Sequence, residues 1–296
     1  RLDALGEMAH LTAEIICRTI FGRQLGRDYA AEVVESFTDY QRHIDQIDIL
    51  SLLRLPDWIP RLRGRAIKRA VKRIDTVLEE IISSYESRAG GGETSVIGGL
   101  LDARDEDGRP LSRQAIRNEA AVIFMAGHET TANTLAWAWF LLSQAPSVRD
   151  RLHAELDAVC PDRDPVFEDI ARLPYTRAVI EETLRLYPPV PILAREANRD
   201  DKIAGVAVPK GSIVMVVPWL LHRNPTLWER ADHFEPERFL GGARGGQSKF
   251  GYVPFAIGPR ICAGLSFGLT ESVLSLAMLA RAFDPQLEPG TDIQPV

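Results

Sequence analysis

The longest helical pattern in this 296-residue chain runs from about residue 112 to residue 142 and contains no proline. Its length of about thirty residues is well above the three or four turns of an ordinary helix. We therefore expect this helix to cross the core and to be covered on most sides. Residues 126–131 (AGHETT) place a glycine and two β-branched threonines in its middle, and these residue types weaken a helix. A weak point at the centre of the main helix predicts a functional position.

The other segments predict a mainly α fold with small β-sheets. Strand character is confined to residues 202–208 and 212–217, which flank Pro209-Lys210-Gly211 and predict a hairpin. Residues 224–258 are rich in proline, glycine and aromatic residues, and irregular segments of this length are usually functional. Periodicity predicts further helices at about residues 1–21, 31–47, 60–88, 147–159, 175–186 and 264–283, with a loop at 89–93.

Composition and charge argue against several classes of function. A formal charge of -6 does not favour a nucleic-acid-binding surface, and the basic run at residues 61–73 fits a solvated helix face. Cys17, Cys160 and Cys262 are an odd number at wide spacing, which favours a reducing compartment over a disulfide framework or a zinc cluster. No uncharged apolar stretch reaches the roughly 20 residues that span a bilayer. We therefore expect no membrane segment and a cytoplasmic protein.

Residues 255–264 (FAIGPRICAG) carry the strongest chemical signal. Cys262 lies just before the last predicted helix, where free amide groups and the helix dipole favour a thiolate that can bind iron. Gly258 and Gly264 allow close approach of the backbone to a flat group, and Arg260 offers a cation to a carboxylate. With Phe255, they fill all five fixed positions of F-x-x-G-x-R-x-C-x-G. A lone cysteine is more often buried and inert, but five matching positions favour the ligand.

This pattern resembles the haem-thiolate segment of the cytochrome P450 family. Two weaker motifs agree with it in order and spacing: Glu182 and Arg185 resemble the family's E-x-x-R, and Arg238 lies in residues 234–239 (FEPERF), which resemble its P-E-R-F segment. The resemblance implies that these three residues form a buried network that supports the haem loop, although an isolated E-x-x-R would usually be a surface ion pair. It covers residues 1–296 as a partial P450 domain and implies truncation at both ends.

The resemblance also assigns roles to the central helix, because AGHETT is similar to the family's A-G-x-[DE]-T-[TS]. It implies that Thr130 and Glu129 deliver protons for oxygen activation, with the Thr130 hydroxyl holding a proton and Glu129 connecting to solvent. The alternative for Thr130 is a hydroxyl that bonds to the preceding helical turn, as Ser and Thr commonly do.

Haem b is the implied cofactor, with Cys262 as iron ligand and Arg195 as a further cation for a haem propionate. The implied activity is that of a monooxygenase, which needs O2 and two electrons from NAD(P)H through a ferredoxin or flavoprotein reductase. An apolar substrate would contact the residues that resemble the family's pocket lining, although they are equally good core residues: Phe124, Ala126, Val190, Ile192 and Leu193.

Three alternative functions start from the same motifs. His128 and Glu129 begin a zinc-peptidase signature, H-E-x-x-H, but Ala132 stands where the second histidine is required. An isomerase or dehydratase on the same scaffold would not need the acid-alcohol pair of Glu129 and Thr130. A haem-binding or inactive fragment without turnover stays open as the second hypothesis.

Overall fold

The computed structural model describes residues 2–22, 35–37, 40, 65–87, 95–242, 250–291 and 293. The chain divides into two compact units, one of residues 9–129 and the other of residues 1–8 and 130–296. The helices in the described residues are α1 (Ala4–Phe21), α2 (Arg65–Ser87), α3 (Val96–Asp102), α4 (Arg113–Gln144), α5 (Pro146–Val159), α6 (Pro174–Leu186), α7 (Pro218–Leu221) and α8 (Leu265–Ala282). Short 3-10 helices span Phe167–Arg172, Pro236–Gly242 and Gly258–Arg260.

The helical predictions agree with these bounds to within a few residues. The pattern at residues 112–142 is α4, and the mainly α class with small sheets is confirmed. The predicted helix at residues 31–47 lies largely outside the described residues, and the loop at residues 89–93 lies wholly outside them.

Gly127 in the middle of α4 is explained by close packing within the 9–129 unit. A Cβ atom at Gly127 would lie 2.8 Å from Cδ1 of Ile16 on α1, which is closer than packed carbon atoms come. The hydroxyl of Thr12, also on α1, donates a hydrogen bond of 2.9 Å to the carbonyl oxygen of His128. The weak turn of α4 is therefore held by α1 through a side-chain contact and a hydrogen bond.

The predicted hairpin around residues 209–211 is wrong. Strand β2 (Asp201–Ile203) pairs with β3 (Val206–Val208) across a tight turn at Ala204 and Gly205, whose φ angles are 47° and 86°. Two successive positive φ angles match the twist of a hairpin, but alanine is an unusual residue there, so local sequence patterns do not indicate this turn. Strand β4 (Ile213–Val216) pairs instead with an unpredicted strand, β1 (Leu193–Glu196).

Helix α8 packs within the unit of residues 1–8 and 130–296. It packs against α5, α6 and the 3-10 helix at Phe167–Arg172. Within the described residues, α8 is also the one helix that is long and apolar enough to cross a membrane by length and composition. The sequence analysis, by contrast, predicts no membrane segment. The contacts of α8 with three neighbouring elements bury side chains inside the unit, and this packing explains why the helix is apolar.

Candidate active site

The segment around Cys262 is a closed loop that presents a thiol at its end. The backbone N–H of Cys262 donates to the carbonyl oxygen of Phe255 at 2.9 Å, and the N–H of Ile261 donates to the oxygen of Gly258 at 3.0 Å. Ala256 and Gly258 both have positive φ angles, 59° and 78°, which turn the chain back on itself. The Cys262 thiol is exposed and forms no disulfide.

Gly264 lies between this loop and helix α8, whose first residue is Leu265. A Cβ atom at Gly264 would lie 3.8 Å from Sγ of Cys262, so the sulfur lies over the glycine at the start of the helix. The structure therefore brings Phe255, Gly258, Cys262 and Gly264 together in one loop, as the motif predicts. Arg260 is exposed on the same loop.

The three residues of the predicted network lie together in the 130–296 unit. Arg185 and Glu182 are fully buried, and Arg185 donates to both carboxylate oxygens of Glu182, at 2.7 and 2.8 Å. Nε of Arg238 lies 3.4 Å from Oε1 of Glu182, and Nη2 of Arg238 donates to Glu235 at 2.8 Å. Two guanidinium groups thus compensate the buried charge of Glu182, which would otherwise be costly.

Arg185 also fixes the irregular segment that precedes the Cys262 loop. Its remaining N–H groups donate to the carbonyl oxygens of His222, Ala231 and His233, at 2.8, 2.6 and 3.0 Å. Its guanidinium group lies over the ring of Trp228, 5.1 Å from the centroid. All five donors of the guanidinium therefore have partners, which makes Arg185 the link between α6 and this segment.

His222 is a buried residue of this region that the sequence analysis missed. Its Nε2 accepts a hydrogen bond of 2.9 Å from the backbone N–H of Val253, two residues before Phe255. Its Nδ1 lies 3.3 Å from the carbonyl oxygen of Arg185, and burial lowers the pKa of His222 to about 4. The neutral imidazole thus connects the network to the start of the Cys262 loop. Its partners, Arg185 and Val253, are 37 and 31 residues away, so no local pattern indicates its role.

A cluster of aromatic residues packs beside the network. Trp228 and Tyr252 are buried, and their ring centroids lie 6.2 Å apart in an edge-on arrangement. Phe239 lies 5.0 Å from Tyr252, whose hydroxyl donates to the carbonyl oxygen of Glu181 at 2.9 Å. The cluster buries Trp228 and Tyr252, two aromatic residues from the described part of the segment that sequence analysis predicts to be irregular.

In the central helix, Glu129 is exposed, Thr130 is half-buried and Thr131 is buried. One turn further on, the hydroxyl of Thr134 donates to the carbonyl oxygen of Thr130 at 2.8 Å. Back-bonding to the preceding turn is therefore present at Thr134, whose hydroxyl proton is used in this hydrogen bond. The role of the Thr130 hydroxyl stays a prediction.

Comparison with known proteins decides the family. The family model described as Cytochrome P450 matches residues 1–296. The chain belongs to the cytochrome P450 family. It is 34% identical to cyclooctatin synthase from Streptomyces melanosporofaciens over 99% of this chain and 64% of that protein. It is 32% identical to cyclooctat-9-en-7-ol 5-monooxygenase from the same organism, over 99% of this chain and 63% of that protein.

Solved P450 structures agree with the fold. The haem domain of cytochrome P450DA superposes with a TM-score of 0.81 at 28% identity, covering 94% of this chain and 61% of that one. The structure of the P450 CYP102L1 gives a TM-score of 0.80 at 28% identity, covering 99% of this chain and 64% of that one. The chain thus spans less than two thirds of the length of these relatives.

Members of the P450 family bind haem b, and the surface around Cys262 fits such a group. The exposed thiol lies in a loop that also exposes two large aliphatic side chains, Ile257 and Ile261, and the Arg260 cation. The soft sulfur donor matches the iron, the apolar side chains match the flat apolar ring, and the guanidinium matches the haem propionates.

The other predicted P450 residues are spread over both units. Phe124 and Ala126 lie in the 9–129 unit, where Phe124 is fully buried between Phe37 and His128, with centroids 4.6 and 5.4 Å away. In the other unit, Arg195 lies on β1 and donates to the carbonyl oxygen of Ala194 at 2.7 Å. Val190 and Ile192 are exposed there, and Leu193 is half-buried. The pocket and the propionate contact stay predictions.

Proposed function

We propose that this chain is the catalytic part of a haem-dependent monooxygenase that inserts one oxygen atom of O2 into an apolar organic substrate. In this reaction two electrons and two protons convert the second oxygen atom into water. The observation that carries the proposal is the geometry of the Cys262 loop. A hydrogen bond from the backbone N–H of Cys262 to the carbonyl oxygen of Phe255 closes the loop, and the exposed thiol lies over Gly264. Cys262 would be the thiolate ligand of the haem iron.

When bound, haem supplies the iron centre at which O2 is reduced, and the thiolate ligand promotes cleavage of the O–O bond. Arg260 and Arg195 would hold the haem propionates, because a guanidinium can form paired hydrogen bonds to a carboxylate. Phe255, Gly258 and Gly264 would shape the loop that holds the haem.

Glu129 and Thr130 would supply protons. The exposed Glu129 carboxylate can exchange a proton with solvent, and the half-buried Thr130 hydroxyl can hold one through ordered water at the reacting oxygen. This arrangement matches the requirement of the reaction, which consumes protons inside a protein interior.

The proposal includes an electron donor and an apolar substrate. Electrons would come from NAD(P)H through a ferredoxin or a flavoprotein reductase, because the reaction needs two electrons from an external donor. The oxygen-insertion chemistry is supported by the relative named as a monooxygenase and by one from Tanacetum parthenium named 3-beta-hydroxylase, which is 30% identical. A cytoplasmic location stays a prediction.

The test is the absorption spectrum of the haem-loaded protein, reduced under carbon monoxide. A thiolate ligand gives a red-shifted Soret band, and Cys262→His should lose the shift. Cys17→Ala and Cys160→Ala are matched controls that should keep it, since both thiols are buried whereas that of Cys262 is exposed. If Cys262→Ala retains the shifted band, Cys262 is not the ligand. A shifted band without any turnover would favour haem binding alone.

A further inference from the structure

The FEPERF segment carries a second polar cluster that the proposed function does not use. Oε1 of Glu237 accepts hydrogen bonds from Nη1 of Arg151 at 2.8 Å and from the hydroxyl of Tyr175 at 3.0 Å. The guanidinium group of Arg151 also lies over the ring of Tyr175, 4.5 Å from the centroid. The three residues belong to α5, α6 and the 3-10 helix Pro236–Gly242, so the cluster joins three elements of one unit.

Tyr175 is the buried member of this cluster. It is 4% exposed, and burial together with the Glu237 carboxylate raises the pKa of Tyr175, so its hydroxyl stays protonated and can donate. Its backbone N–H donates to Glu155 of α5 at 2.6 Å, and the N–H of Thr176 donates to the same carboxylate at 2.8 Å. Amide groups in the first turn of a helix need such partners from outside the helix. Glu155 therefore fixes the start of α6 on α5, and with it the position of the Tyr175 ring.

Glu237 and its neighbour Arg238 hold the segment in two different directions. A 3-10 helix has about three residues per turn, so successive side chains point about 120° apart. Nε of Arg238 lies 3.4 Å from the buried Glu182. The Glu237 carboxylate instead contacts side chains of α5 and α6. The buried network thus fixes one side of the segment, and the Glu237 cluster fixes another.

The segment in turn contacts the residues that lead into the Cys262 loop. The ring of Phe239 lies 5.0 Å from that of Tyr252. The next residue, Val253, accepts a hydrogen bond of 3.1 Å from the N–H of Ala256, which has one of the two positive φ angles that turn the loop back. A shift of the segment therefore reaches the Cys262 loop through the contact between Phe239 and Tyr252.

The Glu237 cluster is too exposed to be a main source of stability. The side chains of Arg151 and Glu237 are 53% and 47% exposed, and ion pairs of this exposure contribute little to the free energy of folding. We therefore expect the pair to affect the position of the segment more than the stability of the fold. The same exposure makes the pair sensitive to salt, because charges are screened over about 10 Å at 0.1 M and about 3 Å at 1 M.

We propose that Arg151 and Tyr175 are positioning residues for the iron ligand: through Glu237 they set the position of the FEPERF segment and so the geometry of the Cys262 loop. This inference rests on the proposed monooxygenase function. Both residues act through Glu237 and not on the haem or the substrate. Loss of the Glu237 carboxylate should loosen the loop while the unit stays folded.

The first measurement is amide hydrogen exchange in the haem-loaded protein, followed in the peptide that contains Cys262. The N–H of Cys262 bonds to the carbonyl oxygen of Phe255, so its exchange reports how often the loop opens. Glu237→Ala should speed this exchange severalfold at low salt. The control is Asp284→Ala, which also breaks an ion pair with an arginine of α5 and removes a carboxylate that is 50% exposed. This control should exchange like the wild type.

Two further variants test the parts of the cluster one at a time. Tyr175→Phe keeps the buried ring and removes the hydroxyl, so it should speed the exchange, though less than Glu237→Ala does. A rate equal to that of the wild type would refute the role of the Tyr175 hydroxyl. Glu237→Gln keeps an acceptor but no charge, so its rate should lie between those of the wild type and Glu237→Ala. A rise in salt from about 0.1 M to about 1 M should speed the exchange in the wild type and leave that of Glu237→Gln unchanged.

The second measurement is the rate at which the reduced, carbon-monoxide-bound protein loses its red-shifted Soret band in dilute denaturant. A loosened loop should lose thiolate ligation severalfold faster in Glu237→Ala, and Glu237→Gln should partly restore the wild-type rate. The free energy of unfolding should be nearly the same in Glu237→Ala and Asp284→Ala. Equal exchange and equal band loss in these two variants would overturn the proposal. Faster exchange throughout the unit in Glu237→Ala would also overturn it, because that result means a general loss of stability.

The two proposals fail in different ways. Absence of the red-shifted band in the wild type would refute the proposed function, whatever the hydrogen exchange shows. With that band present, a Cys262 loop that does not respond to Glu237→Ala would refute only the positioning role of Arg151 and Tyr175.

Discussion

The side chain of Arg185 contacts the backbone carbonyl oxygen of His222, and the side chain of His222 contacts the backbone carbonyl oxygen of Arg185. Nη1 of Arg185 donates to the carbonyl oxygen of His222 at 2.8 Å, and Nδ1 of His222 lies 3.3 Å from the carbonyl oxygen of Arg185. Because Nε2 of His222 accepts from Val253, Nδ1 carries the proton and is the donor in this pair. The two residues thus join α6 to the segment that leads into the Cys262 loop.

Removal of the His222 ring should destabilise the fold. His222→Ala leaves the N–H of Val253 and the carbonyl of Arg185 without partners in a buried region, and each such group costs about 1–3 kcal/mol. We expect the free energy of unfolding, measured with denaturant on the haem-loaded protein, to fall by about 2–5 kcal/mol. His10→Ala removes an exposed histidine and serves as the control. An equal loss in both variants would contradict the structural role of His222.

The same ring predicts how stability depends on pH. Burial lowers the pKa of His222 to about 4 from its ordinary value of 6.5, so the unfolded chain binds more protons at this residue between these two values. The stability that neutral His222 contributes is complete above pH 6.5 and is lost as the pH falls toward 4. The full loss is about 3 kcal/mol, since one pKa unit corresponds to about 1.4 kcal/mol. His222→Gln should show a correspondingly shallower fall in unfolding free energy over this range, and an unchanged slope would contradict the prediction.

Local patterns predicted the helices and the Cys262 loop because both depend on residues close in sequence. The periodicity of residues 112–142 and the spacing within residues 255–264 are of this kind. The role of His222 depends on residues more than thirty positions away, so it could not be found in the same manner. Glu271, a buried residue of α8, did leave a signal, because it is the one charged residue between Leu265 and Ala280. A single carboxyl in so apolar a helix indicates a buried acid.

The hairpin shows where local turn rules fail. Pro209-Lys210-Gly211 has the residue types of a turn, and the chain does turn there, with the N–H of Ser212 donating to the carbonyl of Pro209 at 3.0 Å. The strands on either side nevertheless pair with other partners, β3 with β2 and β4 with β1. Turn chemistry therefore predicted the bend but not the pairing, which depends on the sheet as a whole.

The charge of Glu182 should matter far more than that of a comparable surface glutamate. Glu182→Gln leaves the buried Arg185 cation without its counter-ion, and breaking a buried pair in this way costs about 3–5 kcal/mol. The control is Glu14→Gln on α1, which breaks an exposed pair with Arg18 and should cost less than about 1 kcal/mol. Denaturant unfolding of both haem-loaded variants tests the comparison. Similar losses in the two variants would mean that the network does not stabilise the unit that carries Cys262.

The proposed role of the Thr130 hydroxyl in proton transfer can be tested separately from its contribution to the helix geometry. Thr130→Ala should keep the red-shifted Soret band, because it does not touch the proposed iron ligand, but should release more peroxide and less product per NAD(P)H. Thr134→Ala is the matched control, since it also removes a hydroxyl from α4, one that bonds to the helix backbone at the carbonyl of Thr130. We expect this control to lose some stability, because a buried hydrogen bond contributes about 0.5–1.5 kcal/mol, while its product yield per NAD(P)H stays near that of the wild type. Equal uncoupling in the two variants would mean that the helix geometry matters and the Thr130 hydroxyl does not. An unchanged yield in Thr130→Ala would reject the proton role altogether.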